Sequence, residues 1–405
     1  MAVGLQMPGP LLPIKGIQLG VAAAGIRYRG RNDLLVIAAD VGTQGAAVFT
    51  RNAFCAAPVQ LARDHLAEMA PRFLLVNAGN ANAGTGEPGL AAAHETCRLL
   101  AERGGCEVEA VLPFSTGVIG EPLPVARFPA GIASALQGLH EDGWLEAAQT
   151  IMTTDTLPKG ASRQFVIDGR TVTLTGIVKG SGMIHPDMAT LLVFIGTDAS
   201  VPGPVLRQAL NAAMAGSFNS ITVDGDTSTN DACTLLATGA SGVEIDDAAM
   251  PAYRRFADAL ADLCRELAQA VIRDGEGATK FVTIEVSGAY SVEEARQVAF
   301  TVANSPLVKT ALFASDPNWG RILAAVGRSG IRDLDTHHVD LDINGVRIVT
   351  GGGRDPAYTE AQGQAALAQE ALLIRIALSR GEASTQIWTT DLSYDYVRIN
   401  ADYRS

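Results

Sequence analysis

The stretch KGSGMIHPDMATLLVF, Lys179 to Phe194, changes character in its middle. Its first half, with Gly180, Gly182 and Pro186, reads as a loop. Its second half, Leu191-Leu192-Val193-Phe194, is a short apolar run that reads as a buried strand. Ala189-Thr190 stands at the seam, and two readings of it are open. Thr190 opens the strand as an ordinary cap, as threonines do in many proteins. Alternatively the chain is cut between Ala189 and Thr190, and Thr190 becomes a new N-terminus.

The cleavage reading has a definite chemistry. A hydroxyl is a poor nucleophile at neutral pH and needs a base. A freed α-amine has a pKa of about 7.7–8.0. It lies on the same residue as Oγ, within reach directly or through one water. One cleavage thus supplies both nucleophile and base. The upstream glycines let the backbone take up the strained geometry that self-cleavage demands.

Working outward, the 405 residues suit two domains, or one large domain with an appendage. Apolar residues make up 47% of the chain, enough for a core, and only 18% are charged, so no segment reads as disordered. The net charge of −12, with no Lys/Arg cluster, argues against a nucleic-acid partner. The five cysteines are odd in number and form no CxxC, which points to a reducing compartment rather than a disulfide scaffold or zinc knuckle. The six histidines show neither HxxxH nor HExxH, and His337-His338 reads as a solvent-facing pair. No run reaches the ~18 apolar residues of a membrane span, and the N-terminus has no basic region of a signal peptide. The expected location is the cytoplasm.

Two hairpins stand out. Strands around Asp168-Gly169 and around Asn344-Gly345 are joined by dipeptides that tolerate positive φ. Leu34-Leu35-Val36-Ile37 and Phe73-Leu74-Leu75-Val76 are further buried strands. After Pro251, the spacing of Phe256, Leu260, Leu263, Leu267 and Val271 predicts one apolar helical stripe, stopped at Gly275. Glu276 then sits in a Gly-Glu-Gly loop, where an acid is free to face a site. Val282, Ile284 and Val286 alternate with polar residues as a half-buried strand, and a helical pattern follows from about Glu293. Helix is also expected over 361–380, and strand over 108–112 and 396–399. A domain boundary falls near residue 282.

Several segments carry candidate chemistry. Phe114-Ser115-Thr116-Gly117 follows the strand expected at 108–112. A hydroxyl beside a glycine there can aim an O–H and a backbone N–H at one point, as an oxyanion hole requires, or it is an ordinary turn. Asp224-Gly225-Asp226-Thr227-Ser228-Thr229-Asn230-Asp231 lacks the spacing of a calcium loop and reads as a hydrogen-bonded turn beside a site. Gly84-Thr85-Gly86-Glu87-Pro88-Gly89 matches GxGxxG, but its strand ends too early and Pro88 removes an N–H, so the dinucleotide reading is weak.

Taken together these segments resemble the ornithine acetyltransferase family, also called glutamate N-acetyltransferase. The likeness spans nearly the whole chain. It includes Asn77-Ala78-Gly79-Asn80-Ala81-Asn82, Ser115 to Gly120, Lys179 to Ile184, Met188-Ala189-Thr190-Leu191, Thr222 to Asp231, Gly275 to Lys280, Asp316 to Arg321 and Tyr396 to Tyr403.

The resemblance implies a layered α-β-β-α sandwich of the self-processing Thr-nucleophile kind, with a smaller C-terminal α/β domain. The implied units are a catalytic domain, 1–281, and a C-terminal domain, 282–405. Cleavage between Ala189 and Thr190 would give an α chain, 1–189, and a β chain, 190–405. By resemblance Thr190 takes the acetyl group from N2-acetyl-L-ornithine and passes it to L-glutamate. Thr116 and Gly117 map onto the oxyanion hole. Thr153, Lys179, Thr190, Glu276, Asn400 and Ser405 map onto substrate-binding positions. The resemblance implies no cofactor or metal, and an α2β2 assembly of cleaved chains. Some family members also draw on acetyl-CoA, and no residue decides between the two kinds.

The chain departs from the family pattern at His185, at Asp187 (commonly Asn), at Leu191-Leu192 (commonly Met-Leu) and at Ser405 (often Thr). A self-processing aminopeptidase or amidase is the nearest rival reading. An oxidoreductase built on Gly84, Gly86 and Gly89 is a more distant one.

Overall fold

The computed structural model describes residues 2–185 and 191–402. Ala189, Thr190 and Ser405, three of the candidate site residues, therefore lie outside the described residues, as does Asp187.

The chain begins β1 (Ile17–Ala22), β2 (Leu34–Ala39), β3 (Gln44–Phe49), α1 (Ala57–Glu68), β4 (Phe73–Asn80), α2 (Gly86–Gly104) and β5 (Val111–Val118). There follow α3 (Phe128–Gln137), α4 (Trp144–Thr150), β6 (Lys159–Ile167), β7 (Arg170–Lys179), β8 (Leu192–Thr197), α5 (Gly203–Ala215), β9 (Ala232–Ala237) and α6 (Pro251–Arg273). The last part holds β10 (Phe281–Ala289), α7 (Val292–Ala303), α8 (Pro306–Phe313), α9 (Trp319–Gly327), β11 (Asp340–Ile343) and β12 (Val346–Thr350). It ends with β13 (Gly353–Arg354), α10 (Glu360–Leu367), β14 (Ala371–Ala377), β15 (Ala383–Thr390) and α11 (Tyr394–Ala401).

Among the described residues the strands form three sheets, ordered β1-β2-β4-β5, β3-β9-β8-β7-β6 and β13-β12-β11-β14-β10-β15. The first two stack face to face. Side chains alternate across a strand, so a strand buried on both faces must be apolar throughout. In β2, Leu35 and Ile37 enter the layer between the sheets, while Leu34 and Val36 join the core under α2 and α3. In β8, Leu192 and Phe194 face the intersheet layer, and Val193 and Ile195 pack with residues of α5 and α6. Phe114 of β5 meets Phe194 of β8 edge to face across this layer, ring centroids 5.2 Å apart. The result is the expected α-β-β-α sandwich. The third sheet has its own core with α7, α8 and α9. Among the described residues no helix is long and apolar enough to cross a membrane.

Both hairpin turns are present. Asp168 and Gly169 have φ of 49° and 77°, and Asn344 and Gly345 have 48° and 80°. The α6 stripe is buried at Phe256, Leu260, Leu263, Leu267 and Val271. Three expectations are corrected. The helix expected over 361–380 stops after Leu367. Leu372, Ile374 and Ile376 are instead the buried alternate residues of β14, which sits between β11 and β10. Period two had been hidden inside an apolar run long enough to mimic a helix. The strand expected over 396–399 is helix α11, capped by the Ser393 side chain, which accepts from the N–H of Tyr396. The strand expected over 108–112 starts later, after a short 3₁₀ turn at Val108–Ala110, and runs on to Val118. Thr116 and Gly117 are therefore in a strand rather than in a turn beyond one.

One buried cluster ties the loops at one end of the sandwich together. Lys159 Nζ, at the start of β6, donates to Asp155 Oδ1 at 2.7 Å and to Asp274 Oδ2 at 2.6 Å, with all three side chains out of solvent. Asp155 also accepts from the N–H groups of Thr153 (3.0 Å) and Gly180 (2.8 Å). Asp274 accepts from the Thr156 N–H at 2.9 Å and from its hydroxyl. Burial works to raise the Asp155 pKa, but the ammonium groups of Lys159 and Lys179 and the Thr153 N–H outweigh it and hold the carboxyl well below its usual range.

Replacing Lys159 by Met leaves two buried carboxylates without their cation. Denaturant unfolding is expected to show a loss of about 3–5 kcal/mol at pH 7. Because the native pKa of Asp155 is depressed, its contribution is complete above the unfolded value of about 3.9 and drains away as pH falls toward the native one. The gap between wild type and Lys159→Met should therefore narrow in acid. A gap that stays constant with pH would contradict this account.

Candidate active site

A cavity of about 260 Å³ opens where the ends of β5 and β7 meet the starts of β8 and β9. Thr116, Gly117, Thr153, Lys179, Glu276 and Asn400 all line it, although they come from five separate stretches of chain. Leu191, the residue that follows Thr190 in sequence, also lines it.

Thr116 and Gly117 stand where the β4–β5 ladder loses its register, opposite Gly79 and Asn80. Such an irregularity re-aims the backbone and is frequent beside sites. Gly117 has φ of +136°, and a Cβ there would lie 2.2 Å from the Gly79 carbonyl carbon. The two strands approach more closely than any side chain allows, so this position requires glycine. A lattice of buried amides holds the distortion. Ser115 Oγ donates to Asn77 Oδ1 at 2.6 Å, and Asn77 Nδ2 donates to the Asn80 carbonyl at 2.9 Å. Asn230 Nδ2 donates to the carbonyls of Ala81 (2.6 Å) and Ser115 (3.0 Å). These bonds give the Asn77–Asn82 segment a physical role.

Lys179 closes β7, half-buried, and its Nζ donates to Thr116 Oγ1 at 3.2 Å. It forms no ion pair among the described residues, so its charge is available to an anion in the cavity. Glu276 is 8% exposed. Its N–H donates to the Ser181 carbonyl at 2.8 Å, and its Oε2 accepts from Asn400 Nδ2 at 2.7 Å. Gly182 makes room for that carboxylate, because a Cβ there would stand 2.4 Å from it. Helix α11 carries Asn400 yet buries none of its own side chains. It is held from below: Ser393 Oγ donates to the Gly277 carbonyl at 2.6 Å, and Tyr396 Oη donates to Asp224 at 3.2 Å.

Sequence reasoning did not single out the positioning groups. The Asp155–Lys159–Asp274 cluster orients the loops of Thr153, Lys179-Gly180 and Glu276. Asp224 accepts from the N–H groups of Met183 (2.7 Å) and Ile184 (3.0 Å). The oxygen-dense run from Asp224 to Asp231 was the only signal, and its last residues, Ser228 to Asp231, line the cavity. Burial pushes the Asp231 carboxyl well up from its ordinary value, against hydrogen bonds from Ser228 and the attraction of Lys179. The GxGxxG loop is folded on itself. Thr85 Oγ1 donates to Asn82 Oδ1 at 2.9 Å, and a Cβ at Gly89 would lie 1.9 Å from Thr85 Oγ1.

Among the described residues, one ammonium, two carboxyl groups and several hydroxyls and amides around a small cavity suit a zwitterionic small molecule. The profile of the ArgJ family matches residues 18–405. The arginine biosynthesis bifunctional protein ArgJ of Pseudomonas syringae pv. tomato is 55% identical over the full length of both chains. A crystal structure of the protein of the same name from Bacillus halodurans is 38% identical over 51% of this chain and 97% of its own, with a TM-score of 0.49. Ornithine acetyltransferase from Mycobacterium tuberculosis, solved in complex with ornithine, is 32% identical over 46% of this chain and 98% of its own, with a TM-score of 0.39. On the strength of the full-length relative and of the profile match, this chain belongs to the ArgJ family.

Proposed function

We propose that this ArgJ-family enzyme of arginine biosynthesis carries the acetyl group of N2-acetyl-L-ornithine to L-glutamate through an acetyl ester on Thr190. The chain first cuts itself between Ala189 and Thr190, giving chains of 189 and 216 residues. One observation carries the reading. The six described residues assigned to the oxyanion hole and to substrate all line one cavity, together with the residue bonded to Thr190.

In this reading the freed α-amine of Thr190 takes the hydroxyl proton as Oγ attacks the acetyl carbon. The Thr116 hydroxyl and the Gly117 backbone, held on a distorted strand end, stabilise the oxyanion. Lys179 answers a substrate carboxylate, and Glu276, steadied by Asn400, answers the δ-ammonium of ornithine. Thr153 and Ser405 complete the substrate contacts. The bifunctional name of the curated relative extends the proposal to acetyl-CoA as a second donor. We further assign residues 1–281 to a catalytic domain and 282–405 to a C-terminal domain, and read the working enzyme as a cytoplasmic α2β2 assembly without cofactor.

Intact mass and a denaturing gel are the direct test. Wild type is expected to give two chains and Thr190→Ala one uncut, inactive chain. A full-length wild-type chain that is nonetheless active would refute the mechanism. Incubation with acetylornithine and glutamate should yield acetylglutamate. Acetate in its place would favour the amidase reading.

Gly182→Ala displaces the Glu276 carboxylate. In protein that intact mass shows to be cleaved, it should raise KM for acetylornithine about tenfold, equivalent to ~1.4 kcal/mol. An unchanged KM would show that Glu276 does not bind this substrate.

A further inference from the structure

Asp231 has no place in the reaction as described above, yet it lines the same cavity and is only 3% exposed. It sits at the start of β9, where the Ala232 N–H donates to the Leu191 carbonyl at 2.9 Å. Ser228 satisfies part of its carboxyl group through side chain and backbone. Oδ2 is buried and has no hydrogen-bond partner among the described residues. Leaving a buried polar atom unpaired costs about 1–3 kcal/mol. Such a cost is sustained where the atom meets a partner during turnover. Among the described residues, the other charged side chains on the cavity wall are Lys179 from β7 and Glu276 from the loop after α6. Lys179 is already directed at Thr116, and Glu276 at Asn400.

The chemistry of acetyl transfer between amines supplies that partner. An acetylated amine carries one hydrogen on its nitrogen and leaves at neutral pH as an ammonium, with three. Its nitrogen must therefore gain two protons as the C–N bond breaks and the C–O bond forms. The threonine hydroxyl gives one. The incoming amino acid also arrives as an ammonium and must shed two protons as its own C–N bond forms and the ester C–O bond breaks. The released threonine oxygen takes one. A site that serves both half-reactions needs a group to hold the remaining proton.

We infer that Asp231 is this proton carrier: its carboxyl protonates the departing amine, and the resulting carboxylate deprotonates the amine that enters. The acid is regenerated with each complete turnover, so protons balance without a co-reactant. Burial suits the role, because it favours the protonated carboxyl against the pull of Lys179.

The inference rests on the acetyl-transfer reading and is tested apart from it. Asp231→Asn keeps the shape and the Ser228 contacts but cannot carry the proton. Cleavage would be followed by intact mass, and the two half-reactions by single-turnover release of ornithine and formation of acetylglutamate across pH. Cleaved Asp231→Asn is expected to lose about 10²–10³-fold in kcat at pH 7. Its glutamate half-reaction should climb about tenfold per pH unit toward the amine's own pKa, where wild type levels off. A wild-type rate and profile in the variant, or a loss equal at every pH, overturns the inference. Should Asn block maturation, Asp231→Glu carries the test. The glutamate variant should recover the wild-type shape of the profile, and a natively folded, cleaved Asp231→Glu with no such recovery overturns it. If wild type itself makes no acetylglutamate, the underlying reading fails instead.

Discussion

The buried ammonium of Lys159 lies between the carboxylates of Asp155 and Asp274, and three loops hang from those two acids. Asp155 holds the backbone of Thr153 and Gly180, and Asp274 holds Thr156 and, through its carbonyl, the Ser181 hydroxyl. Each charged group would be costly to bury alone. Together they satisfy one another, and the arrangement is all-or-none: the loops cannot shift singly without stranding a charge. Such coupling suits a site whose lining groups come from five stretches of chain.

The sandwich explains where the cavity lies. Stacked sheets fill their shared layer with interlocking side chains such as Phe114 and Phe194. The cavity lies at strand ends, where the ladders stop. At one end the β4–β5 pairing also breaks, and Gly117 brings its backbone against Gly79. The amides of Asn77, Asn80 and Asn230 take up the backbone groups that the distorted ladder leaves. Residues 180–183 after β7, the loop after α6 and the helix α11 then close over the opening. That helix is held by the Ser393 and Tyr396 hydrogen bonds together with ring packing of Tyr394 on Phe313.

Where local chemistry alone governs conformation, the sequence was legible. Asp168-Gly169 and Asn344-Gly345 make their turns because few other dipeptides accept two positive φ angles. The α6 stripe and the run of β8 follow from side-chain period and burial. Legibility failed where two periods overlap or where a neighbour decides. The run from Ala371 to Ala377 is apolar enough for either state, and its place between β10 and β11 selects strand. Tyr396 to Ile399 alternates like a strand, but no sheet edge receives it, and the Ser393 cap turns it into helix. Within the site, Thr116, Gly117, Lys179 and Glu276 were marked by residue type and by glycine neighbours. Asp224 and Asp231 were marked only as ends of an oxygen-dense turn beside a site, and Asp155 and Lys159 not at all, because an acid or a lysine in a loop looks solvated until its burial is known.

By itself the sequence determined the family, the turns, the buried strands and the types of group available for chemistry, since these depend on residue identity and on spacing within one element. Tertiary structure alone decided which of those groups share a cavity, which charges are paired beneath it and which carboxyl is left with an unmatched oxygen. Those outcomes depend on distances between residues far apart in the chain and on the exclusion of water, and no local pattern encodes either.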